Sequence, residues 1–438
     1  MTLRDALDRT LRLMRDELDE SVSDVALLDA LTGTRVALIA DVANIASHSA
    51  QTAFVTAAVL MARSGHHVYF LAPDVPLVGA QPPMKPGHMV EQLIRIGTDM
   101  LPGVTFSTKA PADEIDLALV LGNSPITVRA RRRIRLNAEP WAGRIAREDD
   151  SSPWSANWWP LGAMTAAALG ATEAFKVAIR KLQHFARNPG RMDTVFADTD
   201  ELTFALAPAD APRCRSLGQF DCVSGGAIIN AALYALARIP AVSGRARIIE
   251  PEFPDISNLN RYMLLLRSRL EIPKADDLAS ICYGTGLHIE PILTRYESAM
   301  LNSIAPLAPS ILVGVDHIPT RWAVQQANPE WLGVGATTHW SAMASFHRAG
   351  LGCAQCLHPS DDPSTAPIPT VAFVSFWAGL LTAAYFLRHV SGELVPQNEQ
   401  QIYLTPFRGE NPTRSKVPIR TNCPTCTDRA ALTIASRQ

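Results

Sequence analysis

Hydrophobic residues in the first half of the chain form a series of strand-like and helix-like segments. The stretch "TRVALIAD" (34–41) is a short apolar run of strand length, and "AQTAFVTAAVLMARSG" (50–65) is long enough for a helix. Two further apolar runs, "HHVYFLAP" (66–73) and "IDLALVLGNSP" (115–125), predict strands. Strands that alternate with helices in this way are typical of a parallel sheet covered by helices.

The same order of segments returns in the second half of the chain. "LGQFDCVSGG" (217–226) predicts a strand and a loop, and "AIINAALYALARI" (227–239) predicts the helix that follows. The later strands are predicted at "RARIIEPE" (245–252), "HIEPILTRY" (288–296) and "PSILVGVD" (309–316). Each series closes with a long apolar helix, at "GAMTAAALGATEAFKVAIRKL" (162–182) and at "FVSFWAGLLTAAYFLRHVSG" (373–392).

The doubled pattern predicts an α/β protein with two Rossmann-like domains in tandem. We place the first domain at 31–190, a proline-containing linker at 191–217 and the second domain at 218–438. Residues 1–30 precede both domains and predict an amphipathic helix docked on them. Its apolar residues recur at helical spacing, at Leu3, Leu7, Leu11, Met14 and Leu18.

Composition narrows the classes of partner. The 438 residues carry a net charge of −2, and 19% of them are charged, so neither nucleic acid nor an anionic membrane is expected as a partner. The start of the chain has no apolar core of the kind a signal peptide needs. The segment 369–387 is long enough to span a membrane, but it contains Thr370, Ser375 and Thr382 and stands alone. We therefore expect a buried helix there and a cytoplasmic protein.

Four of the seven cysteines form two CxxC pairs. Cys353 and Cys356 lie in "CAQC", and Cys423 and Cys426 lie in "CPTC". This spacing matches the two knuckles of a tetrahedral four-thiolate Zn²⁺ site, and the alternative is two unrelated redox pairs. A closed four-sulfur site leaves no position for a substrate, so the predicted zinc would be structural.

The second half also carries the residues expected of a nucleotide site. Gly225 and Gly226 stand at the turn between the first strand and its helix, where backbone N–H groups can bind phosphate. Glu250 ends the next strand, 24 residues after Gly226, and an acid at this position can bind ribose hydroxyls. Spacing alone is weak evidence, because paired glycines and strand-end acids often occur without a nucleotide.

Three further motifs make the pattern specific. They are "SNLNRY" (257–262), "IPKAD" (272–276) and "VGVDHIPTR" (313–321), and with the CxxC pairs they resemble the ThiF-like family over residues 215–435. That family contains the ubiquitin-activating enzymes and the sulfur-carrier adenylyltransferases. The resemblance implies an enzyme that binds ATP and adenylates the C-terminal glycine carboxylate of a small β-grasp protein, releasing pyrophosphate.

The resemblance also implies a role for individual residues. Glu250 matches the ribose-binding acid, which is usually Asp in the family, and Asn258 and Arg261 match the phosphate-contacting pair. Lys274 matches the lysine that reaches the phosphates, and Asp316 matches the aspartate associated with Mg²⁺. These types suit the chemistry, because attack of a carboxylate on the α-phosphate brings negative charges together and no proton need move.

Three positions depart from the family pattern. Val223 and Ile228 stand where the glycine-rich loop has its first and last glycines, and His317 replaces an asparagine after Asp316. The stretch between the zinc knuckles has no cysteine where activating members carry their nucleophile. Three explanations are open: the carrier passes directly from the adenylate, the cysteine has been replaced in this chain, or a hydroxyl accepts the acyl group. Ser364 is the first candidate for that hydroxyl.

The first half resembles the inactive half of pseudosymmetric activating enzymes, because its loop "ADVANIASHSAQ" (40–51) has no glycine. The favoured function is activation of a ubiquitin-like protein that ends in glycine and its transfer to a conjugating enzyme, as in bacterial ubiquitin-like conjugation systems. The two halves would pair within one chain or assemble further as a homodimer. A nicotinamide-dependent oxidoreductase and a catalytically inactive ThiF-like scaffold are the alternatives.

Overall fold

The architecture consists of two mixed sheets, each with long helices packed on one face. The computed structural model describes residues 2–155, 157–297, 304–361, 368–409 and 412–426. In the first half the elements are α1 (Leu3–Glu17), α2 (Asp24–Thr32), β1 (Arg35–Ile39), α3 (Val42–Ile45), α4 (His48–Arg63), β2 (His67–Leu71), α5 (Met89–Met100), β3 (Phe106–Ser107), β4 (Ile115–Leu121), β5 (Ala130–Ala138), β6 (Ala142–Ala146), α6 (Leu161–Arg180), α7 (Pro189–Thr194) and β7 (Leu202–Ala205).

The second half repeats this plan. Its elements are β8 (Ser216–Val223), α8 (Ala227–Leu236), β9 (Ser243–Ile249), α9 (Lys274–Cys282), β10 (Leu287–Ile292), β11 (Ser310–Val313), α10 (Ile318–Gln326), β12 (Trp331–Thr338), β13 (Ser341–His347), α11 (Ala354–Leu357), α12 (Ala372–Val390), β14 (Gln401–Leu404) and β15 (Thr413–Ser415). The strands predicted from the apolar runs and both closing helices are confirmed.

The strand order of the two sheets is the same apart from one added edge strand. The first sheet runs β3-β2-β1-β4-β5-β6-β7, and the second runs β10-β9-β8-β11-β12-β13-β14-β15. In each sheet the first five strands are parallel and the remaining strands antiparallel. The predicted tandem of Rossmann-like units is therefore present. In such sheets the order reverses between β1 and β4, and between β8 and β11, which is where ligands bind.

The two halves meet through their helices. Helices α4 and α6 of the first half pack against α12 of the second, and α12 packs on α8. Phe175 and Phe373 contact each other with ring centroids 5.5 Å apart, and the hydroxyls of Thr56 and Tyr234 lie 3.0 Å apart. One hydrophobic cluster runs through this interface and into both sheets. The halves therefore share a core.

Helix α12 is the helix that length and composition alone would allow to cross a membrane. Within the described residues it is the sole helix of that kind, and 89% of its most apolar window is buried inside the protein. Ser375 and Thr382 satisfy their hydroxyls locally, by contact with the Thr370 hydroxyl and by donation to the carbonyl of Ala378. The predicted buried helix is confirmed.

The N-terminal segment differs in detail from the prediction. Thr2 and Asp5 form a capping box at the start of α1, and Leu7, Leu11 and Met14 are buried as the helical spacing predicted. The helix ends at Glu17, however, and α2 follows as a second helix. Helix α1 also touches the second half, because the Trp340 indole N–H donates to Glu17 at 2.8 Å.

The predicted linker 191–217 is too long. Helix α7 occupies its first residues, and β7 pairs antiparallel with β6 as the last strand of the first sheet. The first unit therefore extends to Ala205, which leaves residues 206–215 as the connection. The four residues of β7 lie between acidic residues and turns, so hydrophobic patterning alone did not indicate a strand.

The contact of α8 with α12 leads to a stability prediction. A methyl group at Gly379 would lie 2.5 Å from both the Ala231 side chain and the Ile228 carbonyl oxygen. Gly379→Ala should lower the free energy of unfolding by about 1–3 kcal/mol, because the two backbones must separate. Helix propensity alone would favour alanine by about 1 kcal/mol, so the sign is diagnostic. Urea midpoints measure the effect.

The matched control is Gly190→Ala in α7, where the nearest atom to an added methyl is the Asn188 side-chain oxygen at 3.3 Å. This variant should keep or slightly raise the wild-type midpoint, because helix propensity acts there without a backbone clash. A raised or unchanged midpoint for Gly379→Ala would contradict the close approach of α8 and α12.

Candidate functional site

A cleft of about 440 Å³ opens at the carboxyl ends of β8, β9 and β11. It lies at the switch point of the second sheet, where β8 and β11 are neighbours and their following loops diverge. The first turn of α8 forms one wall, and the segment after β9 forms another. Of the residues predicted from sequence, Gly226, Glu250, Arg261, Lys274 and Asp316 line this one cleft.

The loop between β8 and α8 is held in a tight turn without the full set of glycines. Ser224 adopts a left-handed backbone with φ of 98°, which is unusual for a residue with a side chain. Its hydroxyl accepts a hydrogen bond from the Gly226 N–H at 2.9 Å. Helix α8 then begins at Ala227, so its unpaired first-turn N–H groups lie beside the cleft.

The isoleucine at the loop's last glycine position is complemented by glycines on neighbouring elements. A methyl group added to Gly335 would lie 2.5 Å from Ile228 Cγ2, and one added to Gly314 would lie 3.1 Å from Ile228 Cβ. Gly379 approaches the Ile228 carbonyl oxygen in the same way. The Ile228 side chain therefore occupies space that Gly314 and Gly335 leave free by having no side chain. Helix α8 can then pack close to the sheet although its first turn carries an isoleucine.

The Glu250 carboxylate fixes the loop between β8 and α8 through hydrogen bonds to main-chain N–H groups. One carboxylate oxygen accepts the Gly225 N–H at 2.8 Å, and the other accepts the Glu252 N–H at 3.0 Å. The side chain is buried, yet it lines the cleft, and each carboxylate oxygen can accept a further hydrogen bond. Gly225 allows a close approach here, because a methyl group would lie 3.0 Å from the Lys274 side chain and 3.2 Å from that of Glu250, and both would have to shift.

The two asparagines of "SNLNRY" have different tasks. Asn258 caps a short 3₁₀ turn: its side-chain oxygen accepts the Asp255 N–H at 2.9 Å. Asn260 is fully buried, and its amide donates to the Thr10 hydroxyl and to the Thr370 carbonyl oxygen. Its oxygen accepts from the Arg261 guanidinium at 2.8 Å. Asn258 therefore shapes the turn and does not line the cleft, and Asn260 supports Arg261.

Within the described residues, five cationic side chains line the cleft: Lys274, Arg261, Arg9, Arg295 and Arg321. Lys274 begins α9 and donates to Glu252 at 2.7 Å. Burial acts to lower the pKa of Lys274, but Tyr262 and the two acids Glu252 and Glu250 outweigh it and raise the pKa. Burial lowers the pKa of Arg261.

The third cation is Arg9 on α1, which sequence reasoning missed. Arg9 lines the cleft and donates to the Ile368 carbonyl oxygen at 3.2 Å. Burial is the main cause that lowers its pKa, and the charge of Asp316 opposes this shift. In the sequence Arg9 looks like the surface arginines Arg4 and Arg12 of the same helix, and only the docking of α1 distinguishes it.

Two described residues of the segment between the two CxxC pairs, His358 and Ile368, lie beside the cleft or in its wall. Trp322 donates to the His358 carbonyl oxygen, and Arg321 donates to His358 Nε2 at 3.1 Å. Because a guanidinium can only donate, the lone pair of His358 Nε2 is already engaged. Ile368 and Thr370 line the cleft on the far side of the segment. Ser364 lies outside the residues that the structure describes.

The corresponding place in the first half is filled by side chains. Trp154 is buried there; its main-chain N–H donates to the Asn44 side chain at 2.8 Å, and its indole donates to Ser49 at 3.1 Å. The Asn44 amide also donates to the Asn123 side chain. Strand β2 ends at Leu71 and is followed by Ala72, so Glu250 has no acidic counterpart at this strand end.

The four cysteines of the CxxC pairs form one cluster. Their sulfur atoms all lie within 4.8 Å of one another. The distance is 3.7 Å from Cys353 to Cys356, 3.4 Å from Cys353 to Cys423 and 3.5 Å from Cys356 to Cys426. A tetrahedral Zn²⁺ with Zn–S bonds of about 2.3 Å requires sulfur–sulfur distances of about 3.8 Å, so the donor set fits a metal ion.

The cluster is better described as one site than as two redox pairs. Its distances between the pairs are as short as the distance within a pair. Burial raises the pKa of the Cys353 thiol, and a cation among the sulfurs would offset that cost. The site joins the α11 region to the segment that follows β15, which is the role predicted for a closed four-sulfur site.

Comparison with known proteins gives a match for the first half of the chain. Residues 35–190 match the family described as the BilD N-terminal domain. A curated relative, the uncharacterized protein y4jF of Sinorhizobium fredii, is 26% identical over 226 residues. That alignment covers 51% of this chain and 43% of the relative, so the chain matches less than half of the relative's length.

Solved structures show more distant similarity. E. coli MccB with MccA-N7isoASN gives a TM-score of 0.40 at 16% identity, over 47% of this chain and 66% of MccB. E. coli MccB with ATP gives 0.40 at 18% identity, over 48% and 66%, and selenomethionine PaaA gives 0.38 at 12%, over 46% and 64%. Scores of this size assign no activity.

We expect the cysteine cluster to bind one metal ion per chain. Cys423→Ser should reduce the bound metal to a small fraction, because a hydroxyl is a much poorer ligand than a thiolate, and should lower the stability of the C-terminal region. Elemental analysis and limited proteolysis measure the two effects. Cys214→Ser, at a cysteine outside the cluster, is the control and should keep full metal content. A wild-type protein without metal, or one whose stability survives chelation unchanged, would refute the site.

Proposed function

We propose that this protein is an ATP-dependent activating enzyme that adenylates the C-terminal glycine carboxylate of a ubiquitin-like protein. The observation that carries the proposal is the convergence of Glu250, Arg261 and Lys274 with Asp316 and Arg9 around the start of α8. The cleft thus combines a buried carboxylate at one strand end, several cations and an exposed aspartate. The match of residues 35–190 to the BilD N-terminal domain concerns the other half and is consistent with it.

The proposal assigns each part of ATP to a part of the cleft. The ribose hydroxyls would bind Glu250, whose carboxylate oxygens retain acceptor capacity beside the loop. The phosphates would lie at the start of α8, where free N–H groups and the helix dipole favour anions. Arg261, Lys274 and Arg9 would then contact the phosphates, and Asp316, which is exposed at the end of β11, would hold Mg²⁺.

The chemistry needs cations more than it needs a base. A glycine carboxylate attacks the α-phosphate, a carbon–oxygen–phosphorus linkage forms, and the bond to pyrophosphate breaks. Negative charge gathers on the phosphorus centre and on the leaving pyrophosphate, so fixed positive charges in a partly enclosed site lower the barrier. Mg²⁺ would neutralise part of the same charge.

The salt bridge from Lys274 to Glu252 is compatible with a nucleotide-free state of the proposed enzyme. The Lys274 side chain is 9% exposed, and that of Glu252 is 53% exposed. Glu252 can therefore swing into solvent at low cost when phosphate oxygens take its place. A hydride-transfer enzyme has no need of several cations and an aspartate at the phosphate end, so the arrangement favours adenylation over nicotinamide chemistry.

We further propose that the four-cysteine site holds Zn²⁺ and that its role is structural. Four thiolates in tetrahedral arrangement suit Zn²⁺ and leave no open coordination position. The partners of the enzyme would be a ubiquitin-like protein ending in glycine and a conjugating enzyme, in a bacterial ubiquitin-like conjugation system. Both halves of the pseudodimer lie in one chain, and further assembly into a homodimer is compatible with the proposal.

Transfer beyond the adenylate would use the segment between the cysteine pairs. Ser364 is the proposed acceptor: its hydroxyl oxygen would attack the acyl carbonyl of the adenylate, an ester would form, and AMP would leave. The hydroxyl proton needs a base, and Asp361 and Asp362 are the carboxylates that precede Ser364 in the sequence. His358 is a poorer candidate, because Arg321 occupies its Nε2 lone pair.

The adenylation step is tested at Arg261 and Lys274. Arg261→Ala or Lys274→Ala should lower ATP–pyrophosphate exchange about 10²–10³-fold, since each would lose one contact to developing phosphate charge. The assay contains ATP·Mg²⁺ and a candidate β-grasp carrier that ends in glycine. Arg267→Ala is the matched control, because Arg267 is exposed outside the cleft and should not affect exchange.

Wild-type exchange in both variants would show that neither cation contacts the nucleotide. No exchange in the wild-type protein with any carrier, together with no binding of ATP·Mg²⁺, would favour the inactive scaffold instead.

The acyl-transfer step is tested at Ser364. Enzyme, carrier and ATP·Mg²⁺ should form a covalent adduct that survives thiol reductants, is cleaved by hydroxylamine and is absent in Ser364→Ala, because an ester resists reduction and yields to strong nucleophiles. Mass spectrometry of the intact protein detects it. Thr365→Ala is the control and should keep the adduct. If Ser364→Ala passes the carrier to a conjugating enzyme at the wild-type rate, the acceptor role is wrong.

A further inference from the structure

The phosphate-contacting segment of the second half is held by side chains from the first half. The segment 257–265 follows β9, carries Arg261 and has no regular helix of its own beyond one 3₁₀ turn. Thr10 of α1 contacts its Asn260 side chain at 2.9 Å. Arg63, the last residue of α4, contacts its main chain.

Arg63 binds three carbonyl groups of this segment. One terminal nitrogen of its guanidinium donates to the Leu259 carbonyl oxygen at 2.6 Å. The other donates to the carbonyl oxygens of Met263 and Leu265, at 3.3 Å and 2.6 Å. These acceptors flank Arg261 on both sides. A planar fork of donors fixes the direction of each carbonyl, which a single point charge would not do.

The Arg63 guanidinium makes these contacts at a cost in free energy, because a buried charge loses its hydration. The side chain is fully buried, and no salt bridge joins it to a carboxylate in the described ranges. Burial lowers its pKa to about 9, so the guanidinium still carries its charge at neutral pH. An apolar side chain of similar size would avoid the desolvation cost but would leave three carbonyl groups without these donors.

We propose that Arg63 is a positioning residue for the nucleotide site: it acts through the main chain of 259–265 to aim Arg261 at the phosphates. The inference rests on the proposed function of the cleft. It gives the first half, whose own site is filled by Trp154, a direct part in nucleotide binding by the second half. Arg63 itself does not line the cleft and touches no nucleotide.

Arg238 provides a matched control in the same interface. It too is a fully buried arginine. Its guanidinium stacks 3.2 Å from the Tyr234 ring centroid, donates to the Gln81 side chain at 3.0 Å and contacts the carbonyl oxygens of Tyr234 and Pro82. None of these acceptors lies in the segment 257–265. Loss of Arg238 should therefore weaken the interface without turning Arg261.

The test compares Arg63→Met, Arg63→Lys and Arg238→Met in the full chain. ATP·Mg²⁺ and adenosine are the probes, and isothermal titration measures their affinities. Arg63→Met should weaken ATP·Mg²⁺ binding about tenfold, comparable to the loss of one charge-assisted phosphate contact, and should leave adenosine binding unchanged. Arg63→Lys should recover part of the loss, because lysine keeps donors but not the fork. Arg238→Met should change neither affinity.

A double-mutant comparison separates positioning from general destabilisation. If Arg63 acts through Arg261, then Arg63→Met should cost no further ATP affinity in the Arg261→Ala background, since coupled residues do not add. If the two losses multiply, or if Arg63→Met weakens adenosine and ATP equally, the positioning role is overturned.

Hydrogen–deuterium exchange makes failure of this inference distinct from failure of the proposed function. The amides of 259–265 should exchange faster in Arg63→Met than in the wild type or in Arg238→Met, with no nucleotide present. A wild-type protein that binds no ATP·Mg²⁺ overturns the proposed function and the aiming of Arg261 at phosphate, whatever the exchange result. Equal protection of these amides in all three proteins overturns the inference alone.

Discussion

The burial of α4, α6, α8 and α12 against one another is the constraint on which the rest of the structure depends. These helices cover one face of each sheet, and their apolar surfaces leave no alternative to pairing the two halves. Glycines allow the closest approach: Gly379 lets α12 reach the backbone of α8, and Gly335 and Gly314 make room for Ile228 at the start of α8. The same packing therefore sets both the interface between the halves and the position of the first turn of α8 beside the cleft.

Charge is distributed unevenly around this core. The cleft gathers Arg9, Arg261 and Lys274 together with Arg295 and Arg321. The buried acid Glu250 is hydrogen-bonded to main-chain N–H groups, and the exposed acid Glu252 accepts from Lys274. Burial lowers the pKa of Arg9 and Arg261, so holding these cations together in the free protein has a cost. Under the proposed function, the phosphates of the nucleotide would offset that cost on binding.

The sequence predicted the units of the fold and most of the cleft, and its failures have physical causes. Long buried strands and helices leave clear apolar runs, so both sheets and their closing helices could be predicted. Strand β5 was missed because its arginines alternate with few apolar residues, of which Ile134 and Leu136 are buried. Glu250 could be placed because parallel strands bring their ends to one edge, whereas Arg261, Lys274 and Asp316 were predicted from the resemblance of their motifs to the ThiF-like family. Arg9 could not be predicted, since its approach depends on how α1 docks on a surface about 250 residues away in the chain.

The fusion of the two halves has a consequence for how the cleft is completed. Arg9 and Arg63 come from the first half, and Arg261 and Lys274 come from the second, yet all four are tethered in one polypeptide. In an assembly of separate subunits, dilution would dissociate the halves. Arg9 would then leave the cleft, and Arg63 would leave the segment that carries Arg261. Here the effective concentration of one half near the other does not depend on how much protein is present. A single copy in a cell would therefore contain a complete cleft, and its two halves would always be made in equal amounts.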